Sequence, residues 1–189
     1  LDKSLFEQYL RYPINIITKG SFAVSTSKGR PVRDIIAQSF PNSLILGLSA
    51  LGIAICIGVP LGVISAIRKN SWVDWGAMSI AMIGICVPAF TVGPLLQIYI
   101  ASHLPGLKVA GWGSPADIIL PALTLGLTTA AYLARLTRGG MLEILSQDFI
   151  RTAKAKGIPS NKLITKHALR GGLLPAIAFI GPSFAALIS

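Results

Sequence analysis

The residues with the greatest chemical capacity form a polar, basic island, Asp148-Phe-Ile-Arg-Thr-Ala-Lys-Ala-Lys-Gly157, running on to His167-Ala-Leu-Arg170 and Leu174-Pro175. These residue types are suited to binding rather than to bond breaking. Arg151, Lys154 and Lys156 offer cationic donors to an acidic surface, and Phe149 and Ala153, one helical turn apart, offer an apolar contact. Asp148 reads as a helix N-cap, and Thr152 to Lys156 mostly favour helix. Gly157 falls where a left-handed C-cap belongs, with Pro159 placed to block continuation. The pattern predicts a short helix over about 148–157. Juxtamembrane Lys and Arg also attract anionic lipid, so charge alone favours a solvated or lipid-headgroup-binding loop over a protein partner.

Other chemistry is poorly provided for. Cys56 and Cys86 sit alone in apolar surroundings and are expected to be small packing residues. No Ser/His/Asp set or carboxylate pair is placed for catalysis, so no catalytic residue is assigned and the chain is not expected to be an enzyme. There is no G-x-x-x-x-G-K-[ST] loop to cradle phosphates, hence no expectation that this chain binds ATP or another cofactor. The net charge of +10 suggests nucleic acid at first sight, but eight of the 17 Lys and Arg are concentrated between Arg135 and Arg170. That concentration points to a membrane-facing or partner-facing segment, and no nucleic-acid partner is expected.

The island must be positioned by apolar elements. The chain is 52% hydrophobic and only 13% charged, well below the roughly 25% charged residues of soluble domains. Residues 35–67, 75–102, 118–134 and 171–189 contain no Asp, Glu, Lys or Arg. A span needs about 20 apolar residues, so the sequence predicts transmembrane helices at 40–68, 76–102, 117–137 and 171–189. Arg68 and Lys69 lie in one short loop, whereas the loop at 103–116 carries only Lys108. Enrichment of cytoplasmic loops in Lys and Arg puts 69–75 and 138–170 inside and 103–116 outside. Residues 1–39 then form an extracytoplasmic segment. His103 and His167 fall on opposite sides of the membrane, and no metal site is expected.

Within the outer segment, Leu1, Leu5 and Tyr9 with Phe6 and Leu10 suggest an amphipathic helix interrupted near Pro13, and Pro31 opens a second short helix. Gly58 and Gly62, and Ala122, Gly126, Ala130 and Ala134, form stripes that allow close helix packing. Pro88 and Pro94 with Gly84 and Gly93 predict a bent or hinged second span. Thr91, Gln97, Thr124, Thr128 and Ser183 are the polar candidates for a translocation pathway; each can instead bond a neighbouring helix or its own backbone. No span carries a central ionisable residue, which counts against an ion-coupled transporter. The chain starts at Leu1 without Met, a basic n-region or a cleavage site and stops at Ser189 inside an uncharged run without a flanking anchor, so it is expected to be a piece of a longer polypeptide.

The island, the string from Ala134-Arg-Leu-Thr-Arg138 through Gly181-Pro-Ser-Phe184, and the start Leu1-Asp-Lys-Ser-Leu-Phe-Glu-Gln-Tyr9 together resemble the binding-protein-dependent ABC transporter permeases. The similarity is to the oligopeptide, dipeptide and nickel branch, most of all to B-type oligopeptide subunits. The family's Glu-Ala-Ala falls here on Arg151-Thr152-Ala153, which suits the peptide branch. The resemblance implies an all-α polytopic transmembrane bundle of the type I importer kind, with six spans in a full chain and four here. It implies a bacterial or archaeal plasma membrane location, a second homologous permease, two cytoplasmic ATPase subunits that hold ATP and Mg, and an extracytoplasmic solute-binding protein. The 148–157 helix, from Asp148 and Phe149 to Gly157, would be the coupling helix. Its function would be ATP-driven uptake of oligopeptide or dipeptide. The alternatives are a nickel permease of the same family, or a non-ABC channel or scaffold whose basic loop binds lipid.

Overall fold

The structure, a computed structural model, describes residues 4–20, 22–104 and 111–189. The readings that rest on Leu1 and Lys108 lie outside these residues, and Leu5 is placed only as part of a helix. The described residues form no strand, only an isolated antiparallel bridge between Val24 and Pro31. The fold is all-α, and the chain divides into two compact units, Leu1–Ile45 and Leu46–Ser189.

In the first unit, α1 spans Leu5–Lys19; the Glu7 N–H donates to the Ser4 side chain at 3.3 Å, and Gly20 closes the helix at φ 58°. The helix passes through Pro13 without interruption. Pro13 is exposed, and there its ring meets no packed neighbour and the freed carbonyl can reach solvent. Pro31 precedes not a short helix but α2, Val32–Ile67, 36 residues that continue through Pro41 into the predicted first span.

The second unit is built around α5, Pro115–Leu145. Its small-residue stripe is buried, and it lies against α2: a Cβ at Gly58 would come within 2.5 Å of the Ala130 carbonyl oxygen, and one at Gly126 within 2.8 Å of that of Ala50. Ala54, Ala130, Leu133 and Ala176 form one core cluster. α5 runs two turns beyond its predicted end at 137. Gly139-Gly140 does not stop it, because Gly140 serves close packing against the Gly172 carbonyl and Pro175.

The second span is two helices: α3, Trp72–Cys86, and α4, Ala89–Ala101, whose last turn from Gln97 is π-helical. They meet at 102°. Val87 is extended (φ −82°, ψ 119°), the conformation that a following proline imposes, and Pro88 has no N–H with which to continue the ladder. After α5 come α6, Asp148–Ala155, then α7, Ser160–Gly172, and α8, Leu174–Ile188, the last two meeting at 48°. The segment 138–170, expected as a connection with one helix at about 148–157, contains α6 there and is helical also at 138–145 and from 160 onward. Among the described residues two helices, α2 and α5, are long and apolar enough to cross a membrane, and up to four crossings result if each bent pair counts as one. Cys56 of α2 and Cys86 of α3, expected as small packing residues, are exposed in this chain.

Candidate functional site

The basic island folds as the short amphipathic helix α6, with two changes. Gln147, not Asp148, is the N-cap residue: its carbonyl accepts from the Ile150 N–H at 3.1 Å, and no side chain caps the end. Asp148 is the first helical residue, where its carboxylate still opposes the positive end of the helix. At the other end the Gly157 N–H donates to Lys154 O at 3.0 Å and the Ile158 N–H to Ala153 O at 3.3 Å. With Gly157 at φ 78°, this is a complete Schellman cap.

The helix turns two faces in different directions. Ile150 and Ala153 are buried in a cluster with Ala66 of α2, Met141 of α5, and Leu163 and Ala168 of α7; Ile158 packs on the same cluster. The pairing of Phe149 with Ala153 as one contact is therefore corrected. Ala153 faces this chain's own core, while Phe149 remains 51% exposed. An α-helix advances 100° per residue, so the inward stripe here passes through 150 and 153 and leaves 149 at its edge. Arg151, Thr152, Lys154 and Lys156 are exposed. Arg151 approaches the Asp148 carboxylate at 3.4 Å with both side chains largely in solvent, a pairing of little energetic weight. The outward face is thus cationic with one aromatic, held on a rigid seat.

Of the five pathway candidates, the structure brings two together. Gln97, on the π-helical turn, and Thr124 line one cavity of about 300 Å³ with Gly93, Leu120 and Pro121. Thr128 lines an adjoining, almost wholly apolar cavity of about 280 Å³ at the α3–α4 bend, with Gly84, Val87 and Val92. Thr91 lies on the exposed surface of α4. Ser183 sits on α8, where its hydroxyl donates to Phe179 O at 2.7 Å, and Thr124 likewise donates to Leu120 O at 2.8 Å.

Sequence reasoning missed a polar cluster where the end of α2, the head of α3 and α5 meet. Asp74, in the first turn of α3, is buried, and Arg138 of α5 grips both its oxygens, Nε to Oδ1 at 2.6 Å and an Nη to Oδ2 at 2.7 Å. The Ser65 hydroxyl donates to Oδ1, and the Asn70 N–H to Oδ2 at 2.9 Å. Asn70 is left-handed at φ 61°, a conformation that Asn tolerates better than most residues. A signal was present: Asp74 is the one acid between Asp34 and Asp117, standing at the head of an apolar run.

A chain of apolar helices with a capped cationic helix seated on their ends is the arrangement expected of a transport permease, and comparison with known proteins decides the matter. Residues 58–189 match the family described as binding-protein-dependent transport system inner membrane component. The chain belongs to that family. Over its whole length this permease is 41% identical to the oligopeptide transport system permease protein OppB of Haemophilus influenzae and 42% identical to the dipeptide transport system permease protein DppB of Bacillus subtilis. It is 38% identical to the glutathione transport system permease protein GsiC of an Escherichia coli O1:K1 strain. The similarity is thus to the peptide branch. The chain spans 62% of the length of that OppB and 61% of the other two. Among solved structures, an amino acid ABC transporter matches with a TM-score of 0.55 over 98% of this permease and 73% of that chain, at 17% identity. That likeness concerns the fold, which is all-α and of the type I importer kind.

Proposed function

We propose that this permease forms, with a second homologous permease, the pathway for ATP-driven uptake of oligopeptides or dipeptides, and that α6 couples it to cytoplasmic ATPase subunits. The observation that carries the reading is the division of α6 into a buried Ile150–Ala153 face and an outward face of Phe149, Arg151, Lys154 and Lys156. A load applied to the outer face passes directly to the ends of α2, α5 and α7. The names of the peptide-branch relatives supply the substrate class. ATP and Mg are held by the ATPase subunits, and a solute-binding protein delivers cargo from outside. The Gln97–Thr124 cavity is the part of the pathway contributed by this chain: neutral donors and acceptors suit a substrate whose constant part is its backbone. Residues 69–75 and 138–170 face the cytoplasm of a bacterial or archaeal cell, and lipid surrounds the spans.

The test is co-expression of the full-length permease with its chromosomal neighbours and affinity purification in mild detergent. The expected result is a bound ATPase whose association is lost with Gly157→Pro, which removes an N–H donor and forbids the left-handed conformation. Phe149→Ala is expected to weaken association without changing the melting temperature. Ala153→Glu is a poor probe of coupling, since it damages this chain's own core. In proteoliposomes the complex should take up labelled dipeptides or oligopeptides and not radioactive nickel(II). A monodisperse permease with no ATPase partner would overturn the reading in favour of a channel or scaffold.

A further inference from the structure

The second unit contains a mechanical problem. α6 is seated on the cytoplasmic ends of α2, α5 and α7, yet Gln97 lies on α4, at the far end of the bent α3–α4 pair. α3 follows α2 through a four-residue turn, Arg68 to Ser71, which would yield if α3 were pushed from one end alone. Two contacts prevent that. Near the bend, Gly84 lies so close to α5 that a Cβ there would be 3.2 Å from that of Ala131. At the head of α3, Arg138 holds both oxygens of Asp74, while Ser65 and the Asn70 N–H tie the same carboxylate to the end of α2 and to the turn. Arg138 stands one turn before Met141, against which α6 packs.

We propose that Asp74 and Arg138 are positioning residues of transport: their two-point ion pair locks the head of α3 to the segment of α5 on which α6 is seated. Displacement of α6 is thereby passed to α4 and the Gln97–Thr124 cavity instead of being absorbed by the α2–α3 turn. The inference rests on the permease reading above. The geometry supports this role over simple stabilisation. A bidentate Arg–carboxylate pair fixes orientation as well as distance, and a buried ion pair is weak evidence for stability in itself. The Asp74 side chain is only 4% exposed and that of Arg138 26%, so the pair is shielded while remaining at the edge of the bundle.

The experiment uses the complete complex in proteoliposomes and reads labelled-peptide uptake, ATP hydrolysis and melting temperature together. Asp74→Asn and Arg138→Gln are each expected to keep the ATPase subunits bound and to lower the peptide taken up per ATP hydrolysed by about tenfold, a loss of coupling. The exchange Asp74→Arg with Arg138→Asp is expected to restore that ratio to within about threefold, the signature of an interacting pair. Because a single change leaves one charge buried and unpaired, the neutral double variant Asp74→Asn with Arg138→Gln serves where a single variant does not assemble, with the same lowered ratio expected. An unchanged ratio in an assembled variant, or uptake and hydrolysis falling in parallel with melting temperature, overturns the proposal. Absence of ATP-linked uptake by the wild-type complex overturns the permease reading along with it.

Discussion

Gly157 shows how a single residue sets the boundary of a functional element. Its positive φ and its N–H bond to Lys154 end α6 and turn the chain toward Ile158, which folds back onto the core. A Cβ there would meet no atom within 4 Å, so a substitution is penalised by backbone conformation and not by space. Gly157→Ala is therefore expected to cost about 1 kcal/mol, and Gly157→Asn less, because Asn enters the left-handed region more readily. Transport by the three forms should rank Gly, Asn, Ala. Gly157 was legible in the sequence because a cap is a local pattern. The Asp74–Arg138 pair was legible only in part: a lone acid at the head of an apolar run marks Asp74, but its partner stands 64 positions away and no local pattern names it.

At the scale of elements, the helices were legible and their ends were not. The small-residue stripe of α5 announced close packing, and α2 proved to be the partner. Charge, however, marks where a chain may leave the bilayer and not where a helix stops, so α2 begins before the predicted 40 and α5 continues past 137. The bend in the run 76–102 was announced by its prolines, and the break falls at Val87–Pro88. The α2–α5 contact yields a clean comparison. Gly58→Ala places a methyl carbon against the Ala130 backbone and is expected to cost about 1–3 kcal/mol through overpacking. Gly52→Ala lies on the same helix with no atom within 4 Å of its Cβ, and it should be neutral or stabilising by up to about 1 kcal/mol through helix propensity. Thermal unfolding of the two variants in one detergent checks both.

For the molecule as a whole, the distribution of basic residues and the bent α3–α4 pair jointly define a test of topology. If the pair crosses as one broken span, Lys69 and His103 lie on opposite sides of the membrane. With Cys56 and Cys86 replaced by Ser, Lys69→Cys should react with a membrane-impermeant maleimide only in inside-out vesicles, and His103→Cys only in right-side-out cells. Labelling of both from the same side would make the pair a re-entrant hairpin and reduce the crossings accordingly.

The 102° bend also bears on the surrounding lipid. At 1.5 Å per residue the 15 residues of α3 are about 22 Å long and the 13 of α4 about 20 Å. Neither arm alone matches a hydrocarbon core of about 30 Å, and with a 102° turn between them the two together reach only about 27 Å end to end. Bilayer around this elbow must thin or the elbow must open, each at a modest energetic cost. Acyl-chain length thus enters the energetics of the permease directly. Membrane composition, and the growth temperature that sets it, becomes an input to the same hinge that borders the Thr128 cavity.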